Sequence, residues 1–389
     1  MTIKNSGSEL AFSEIEAEFG QPDNGRSLGR YRSSDSEFKN KSMGSLSDLP
    51  LDTGIPASGE IKFSQFYGKK LNMVVDYYDD TGSSGGEASN VLNRQDDGAN
   101  TLAATWRYNN LSNRVKVVGG YRDRPTGSVS GYSLSSSGWQ NGKKVFIHVN
   151  KLIGSAKAGS DSDRNKVALR TGNWPSGTSL QIDIGSSGRI QGAGGNGRQG
   201  NTSSGTPSQA FTGTSGLGIE YPAQINNSGT IRCGYGGGGG GAGSWSDPNK
   251  NPRDFGRSGG GGGGGAGIPA GDGGPQNTGG YGSAGNGGPS DQNGKGKAGS
   301  DASFDAGGNG GGGGQHGEGG GQAGSGGNGG DQNDAAQSGT AGSPNRGGGG
   351  SPGSNGHGII FSSSSVQSNS SGDKTLSSGN GGVIVGGVS

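Results

Sequence analysis

Gly234-Tyr235-Gly236-Gly237-Gly238-Gly239-Gly240-Gly241-Ala242-Gly243 opens a stretch, Gly234 to Gly358, in which 54 of 125 residues are glycine. It holds four runs: Gly236 to Gly241, Gly259 to Gly265, Gly310 to Gly314 and Gly347 to Gly350. One reading is a flexible linker, because glycine loses the most backbone freedom on ordering and adds no side chain to a core. The other is a bundle of polyproline II segments with three residues per turn, whose bare backbones approach closely enough to exchange N–H and C=O hydrogen bonds. The runs are short and unequal, and non-repeating polar segments such as Trp245 to Phe255 separate them, whereas linkers repeat one simple motif. The chain then closes on apolar segments, Ile359-Ile360-Phe361 and Val383-Ile384-Val385. The pattern therefore predicts rods joined by turns, a glycine-rich polyproline II-type bundle, with the linker as its alternative.

Working outward, only 25% of the 389 residues are hydrophobic, and they concentrate ahead of the glycine stretch, where one ordinary core fits. The net charge of +1 gives no reason to expect nucleic acid or an acidic membrane as partner. Cys233 is the only cysteine, so no intrachain disulfide and no cysteine-based zinc site is expected. The N-terminus lacks the charged and apolar regions of a signal peptide, and no apolar run reaches membrane-spanning length. Synthesis in a cytoplasm without membrane insertion is the expectation.

Residues 1–68 contain an internal repeat. Ser6-Gly7-Ser8-Glu9-Leu10-Ala11-Phe12-Ser13-Glu14-Ile15 returns, one residue shorter, as Ser58-Gly59-Glu60-Ile61-Lys62-Phe63-Ser64-Gln65-Phe66. Each copy predicts a turn, an extended piece and a helix start. In the first, Ser13 and Glu16 have capping-box spacing and Gly20 is a natural stop. Helices this short need packing partners, which makes the segment an attachment arm or a decoration of the next unit. With Ala17-Glu18-Phe19-Gly20, Ser27-Leu28-Gly29-Arg30-Tyr31 and Ile55 to Gly68, it resembles the N-terminal signature of structural and tail-fibre proteins of tailed bacteriophages.

Residues 69–185 predict a β-domain. Candidate strands are Leu71 to Tyr78, Leu102 to Tyr108, Val115 to Tyr121, Val129 to Leu134, Val145 to Ile153, Val167 to Arg170 and Ser179 to Ile184, separated by turn signals such as Asn141-Gly142. That spacing suits an antiparallel β-sandwich. Val145, Ile147 and Val149 would share one face, and Phe146 and His148 the other.

Residues 186–389 form the expected glycine-rich distal domain, entered through a second repeat. Gln181-Ile182-Asp183-Ile184-Gly185-Ser186-Ser187-Gly188-Arg189-Ile190-Gln191-Gly192 is echoed by Gln224-Ile225-Asn226-Asn227-Ser228-Gly229-Thr230-Ile231-Arg232-Cys233-Gly234, each read as strand, Ser-Gly turn and strand in a hairpin. Preceded by Ala168 to Pro175, this pattern is similar to the distal part of phage tail fibres and tail-tip adhesins. The resemblance implies a virion tail protein with packed polyglycine II helices whose connecting loops touch a host receptor. Glycine does not recur strictly every third residue here, unlike in a collagen-like repeat.

Catalytic chemistry finds little support. His148, His316 and His357 are far apart in sequence, with no partner at metal or triad spacing. Asp79-Asp80 and Asp96-Asp97 sit at turn-like positions, and Asp161-Ser162-Asp163 lacks the further ligands of a calcium loop. Gly326 to Asp331 opens like a calcium-binding nonapeptide but has no tandem copy. The glycine stretch carries six Lys or Arg against nine Asp or Glu, which disfavours RNA. No enzyme, metal or cofactor is expected.

Between the glycine runs lie Trp245, Phe255, Tyr281, Phe304, Gln315 and His316, aromatic and polar groups suited to sugars or the loops of a membrane protein. They are the receptor-binding candidates; the alternative is that the aromatics pin loops to the glycine layer. The expected partners are other tail or fibre proteins through residues 1–68, a host glycan or outer-membrane protein, and further copies of the chain in the virion, without nucleic acid. A purely structural tail component and a glycan-degrading tailspike are the rival functions.

Overall fold

The structure is a computed structural model. It describes residues 3–19, 22, 25–32, 34–35, 54–69, 73–77, 115–118, 144–155, 157–158, 166–171, 174, 176–201, 209–243, 259–275, 297–313, 323–341, 348–374, 383–385 and 387–388. Of the predicted strands, Leu102 to Tyr108 and Val129 to Leu134 lie outside these residues.

Fourteen strands are described: β1 Met73–Tyr77, β2 Val115–Val118, β3 Lys144–Val149, β4 Leu152–Ile153, β5 Val167–Arg170, β6 Ser179–Ile184, β7 Arg189–Gln191, β8 Ser215–Ile219, β9 Ala223–Asn227, β10 Thr230–Arg232, β11 His357–Phe361, β12 Ser371–Gly372, β13 Val383–Val385 and β14 Gly387–Val388. From β3 onward every third strand joins the same sheet. One sheet runs β12-β9-β6-β3-β1-β2, a second β13-β10-β7-β4 and a third β14-β11-β8-β5. Each circuit of the chain thus lays one strand on each of three faces, in a parallel coil of four circuits.

The protein is mainly β, as expected, but the expected antiparallel sandwich is corrected. The only antiparallel pair among the described strands is β1 with β2, at the sheet edge. Alternation along a strand fixes which residues face inward, and it reads the same in either direction. The inward set is as the alternation predicts, with Val145, Ile147 and Val149 buried. Like residues stack in register from circuit to circuit: Ile147 on Ile182 on Ile225, and Ile153 on Ile190 on Ile231. With Leu169, Leu217 and Ile359 from the third sheet they fill one core.

The second repeat is two successive circuits, not two hairpins. β6 and β7 flank a turn but pair with β9 and β10 instead of each other. Its corner needs glycine: a Cβ at Gly188 would lie 2.2 Å from the Val149 oxygen, and one at Gly229 would lie 2.3 Å from the Gly188 oxygen.

The glycine stretch leaves the coil after β10 and returns at β11. Its hydrogen bonds repeat every third residue. N–H groups of Gly234 and Gly237 donate to Thr214 and Phe211; those of Tyr235, Gly238 and Gly241 to Ala266, Gly263 and Gly260; those of Gly239 and Ala242 to Gln337 and Thr340. Carbonyls of Tyr235, Gly238 and Gly241 accept from Gly195, Arg198 and Asn201; those of Gly236, Gly239 and Ala242 from Gly330, Gly327 and Gly324; those of Gly234, Gly237 and Gly240 from Gly356, Gly353 and Gly350. Segment 234–242 therefore has six neighbours, three through donors and three through acceptors. Segment 259–268 is surrounded in the same way by 192–201, 235–241, 271–274, 297–303, 308–311 and 324–330.

The two longest glycine runs are these two central rods. Where all three facets of a rod meet backbone, no side chain fits: a Cβ at Gly238 would lie 2.0 Å from the Gly327 oxygen, and one at Gly262 would lie 1.9 Å from the Gly238 oxygen. Outer rods have a free facet and carry side chains there, as Ser325 and Asn328 do in 323–330.

Residues 3–69 enclose a separate small core of Ile3, Leu10, Ile15, Phe19, Tyr31, Ile55 and Phe66. Helix α1 spans Phe12–Phe19, and short 3-10 turns span Leu28–Tyr31 and Phe63–Phe66. The first repeat is legible in three dimensions. Ala11 N–H donates to Glu14 Oε2 at 2.9 Å and Lys62 N–H to Gln65 Oε1 at 2.6 Å. Gly7 and Gly59 both adopt positive φ, and Phe12 meets Phe63 edge to face at 6.1 Å. Glu14, not Glu16, closes the helix start, because α1 begins at Phe12 and leaves Ser13 inside its first turn; Glu16 accepts instead from Arg26 Nε at 2.6 Å. The Ala11 N–H lowers the Glu14 pKa, with Lys4 helping against the opposing effect of burial.

Candidate functional site

The rods are built as continuations of the coil. Gly192 N–H donates to Arg232, Gly195 to Tyr235, Arg198 to Gly238 and Asn201 to Gly241, extending the parallel pairing of β7 with β10 outward at one constant offset. The returning rods do the same for the third sheet, where Ala210 donates to Ser351 and Gly213 to Ser354 ahead of β8 and β11. These ladders fix the direction of four rods relative to the coil, and hydrogen bonds to rods already oriented fix the direction of the rest.

Rods then alternate outward and inward. Segments 192–201, 234–242, 271–275, 307–313 and 336–341 run outward, and 209–214, 259–268, 297–303, 323–330 and 348–356 run back. The turns next to the coil are short and described: 268–270, 303–306 and 331–334. Ser155 N–H donates to Ile268, and Gly194 N–H to Pro269. The other five connections, 202–208, 244–258, 276–296, 314–322 and 342–347, lie outside the described residues. The described residues flanking them lie at the far end of the rods, where Gly259 donates to Asn201, Gly324 to Ala242 and Gly261 to Lys297.

Trp245, Phe255, Tyr281, Gln315 and His316 all fall within those five connections, outside the described residues. Phe304 lies in the turn 303–306 next to the coil, at the opposite end of the rods from the described residues that flank those connections. It is half-buried in the near turn, and its carbonyl accepts from Arg189 Nη2 at 3.2 Å and Gln191 Nε2 at 3.0 Å. Asp305 beside it meets Arg189 at 2.7 Å and Arg232 at 2.5 Å. The bond from Arg189 is the main cause of a lowered Asp305 pKa; burial opposes it, and the charges of Arg189 and Arg232 add to it. These arginines are half-covered on the second sheet, so the turn clamps the bundle to the coil.

Sequence reasoning missed the side chains that finish the bundle's perimeter. N–H groups that meet no main-chain carbonyl donate to short polar side chains of neighbouring rods: Gly236 to Asn355, Gly310 to Asn328, Asp272 to Asn196, Gly273 to Asp301, Ser325 to Thr340 and Asn309 to Ser300. The signal was the recurrence of Asn, Asp, Ser and Thr between glycines at threefold spacing. Asp331 does the same for Gly307, Asn333 and Asp334; burial raises its pKa, and these three N–H groups outweigh it to give a net lowering.

Cys233 is fully buried next to Tyr235, and burial pushes its thiol up to about 12, so it is no nucleophile. Among the described residues no three His, Cys, Asp or Glu converge as metal ligands, and no helix is long and apolar enough to cross a membrane.

The sequence profile of the family described as phage tail fibre adhesin Gp38 matches residues 124–325. No curated protein matches. The chain is similar to the solved gp37-gp38 adhesin tip complex of the bacteriophage S16 long tail fiber, at 20% identity over 97% of this chain and 95% of that one, with a TM-score of 0.36.

Proposed function

We propose, from the premise that the chain belongs to the phage tail fibre adhesin Gp38 family, that it binds a host receptor through the five connections whose flanking described residues lie at the far end of its glycine bundle. The supporting observation is the division of the bundle's two ends. Short turns abut the coil, and every long connection is flanked by described residues at the opposite end. The rods are of the polyglycine II type, with three residues per turn, and their stiffness leaves little to be ordered on binding. Loops on a rigid scaffold are free to vary without disturbing it.

Trp245, Phe255, Tyr281, Gln315 and His316 are the contact residues of this reading, and a glycan or outer-membrane protein on the host surface is the receptor. Phe304 serves as an anchor of the bundle. Residues 1–68 attach the chain to another tail-fibre protein, and the coil braces the bundle between. The chain acts as a non-enzymatic virion component.

The test is inhibition of phage adsorption by the purified full chain, compared with a variant carrying Trp245→Ser, Phe255→Ser and Tyr281→Ser. Saturable blocking by the first and its loss in the second, with equal melting temperatures, is the expected result. Equal blocking by both removes these residues from the site. No blocking by a folded chain favours a structural tail component.

A further inference from the structure

We infer that Asn309 is a site of spontaneous deamidation that Asn328, on the neighbouring rod, holds in check. At an Asn-Gly pair the glycine nitrogen attacks the asparagine Cγ. The new N–Cγ bond forms, the Cγ–Nδ2 bond breaks, and ammonia leaves. Water then opens the cyclic imide to aspartate or to isoaspartate, which carries one extra main-chain atom. The attacking nitrogen is the glycine N–H, so a glycine that donates this hydrogen to a fixed acceptor is withheld until the bond opens.

Four such pairs lie in the described rods: Asn196-Gly197, Asn309-Gly310, Asn328-Gly329 and Asn355-Gly356. In three the glycine N–H goes to a main-chain carbonyl of a neighbouring rod: Gly197 to Asp272 at 2.8 Å, Gly329 to Gly308 at 2.9 Å and Gly356 to Gly234 at 3.0 Å. Gly310 differs. Its N–H donates to Asn328 Oδ1 at 2.9 Å, a side chain exposed on the bundle surface. A side-chain rotation releases that bond, whereas the other three open only when a rod shifts. Asn196 and Asn355 are held at their own side chains too, accepting from Asp272 and Gly236. Asn309 is exposed, and among the described residues nothing bonds its side-chain amide.

The consequence falls on the lattice. Rod 307–313 sends the N–H groups of Gly308 and Gly311 to Gly264 and Gly261 of a central rod. An extra main-chain atom at position 309 puts these two donors out of threefold register. Conversion there would be a slow ageing step of the intact protein.

The experiment incubates the full chain in mildly alkaline buffer and follows each pair by peptide mapping with mass spectrometry, in the wild type, Asn328→Ala and Asn328→Asp. In Asn328→Ala, conversion at Asn309 rises about fivefold, the factor one net hydrogen bond supplies, while Asn196 and Asn355 stay unchanged. Asn328→Asp keeps an oxygen for Gly310 and keeps Asn309 at the wild-type rate. An unchanged rate at Asn309 in Asn328→Ala overturns the inference. So does an equal rise at Asn196 and Asn355, which would report a loosened lattice, or a failure of Asn328→Asp to protect.

Discussion

Replacing Gly238 by alanine tests the lattice at its centre. The new Cβ would stand 2.0 Å from the Gly327 oxygen, where ordinary contact begins at 3.4 Å, so rod 323–330 must retreat by about 1.4 Å. That rod is tied to the central one by Gly324 N–H to Ala242 at 2.8 Å, Gly327 to Gly239 at 2.8 Å and Gly330 to Gly236 at 2.9 Å. The retreat carries all three beyond hydrogen-bonding range. At about 1 kcal/mol net each, the loss is about 3 kcal/mol. Ser338→Ala is the control, because Ser338 is exposed on an outer rod, and it should stay within about 0.5 kcal/mol of the wild type. Equilibrium denaturant unfolding reads both. If Gly238→Ala and Ser338→Ala proved equally stable, the reasoning from backbone contact would be refuted.

A single glycine inserted after Gly238 turns every later donor of that rod by a third of a turn, whereas three inserted glycines restore the facing; protease resistance should be lost in the first and kept in the second. Asp305 has a folded-state pKa below its unfolded value, so its contribution to stability is complete above about pH 4 and falls as pH drops through the folded value. Asp305→Asn should therefore lower the melting temperature at neutral pH, and the gap to the wild type should narrow in acid. Phe66→Ala removes a fully buried ring lying 6.0 Å from Tyr31 and 6.2 Å from Phe19. It should cost about 3–5 kcal/mol and admit protease within residues 3–69, while Phe63→Ala, at a ring already 38% exposed, should change little.

Much of this architecture is legible in the residues, but the pairing of the strands is not. The inward face of β3 and both internal repeats could be read directly, because periodicity and turn glycines act locally. Whether β6 would pair with β7 or with β9 depends on contacts 43 residues apart, and Gln181 to Gly192 reads the same for a hairpin and for one corner of a coil. Gly234 to Gly358 predicts rods and turns in sequence, and in the described part Gly236 to Gly241 and Gly259 to Gly265 lie where backbone meets backbone. Unequal run lengths had a cause that sequence spacing hides: rods with six neighbours need glycine on every facet, and outer rods do not. Of the candidate contact residues, Phe304 looked like the rest in sequence, yet Arg189 and Gln191 hold its carbonyl at the near end. No local signal in Ala302 to Ala306 distinguishes a near turn from a far one; counting rod reversals does.

The described rods of the glycine stretch form a cooperative lattice templated by the coil. Native-state hydrogen–deuterium exchange of the full chain tests it most directly. Amides of Gly234 to Ala242 and Gly259 to Ile268, each rod enclosed by six neighbours, should exchange as slowly as those of β6 and β9 and be released with them in one unfolding step. Complete exchange of these glycines at the earliest time, with β6 and β9 still protected, would show a linker in place of a lattice and contradict the account.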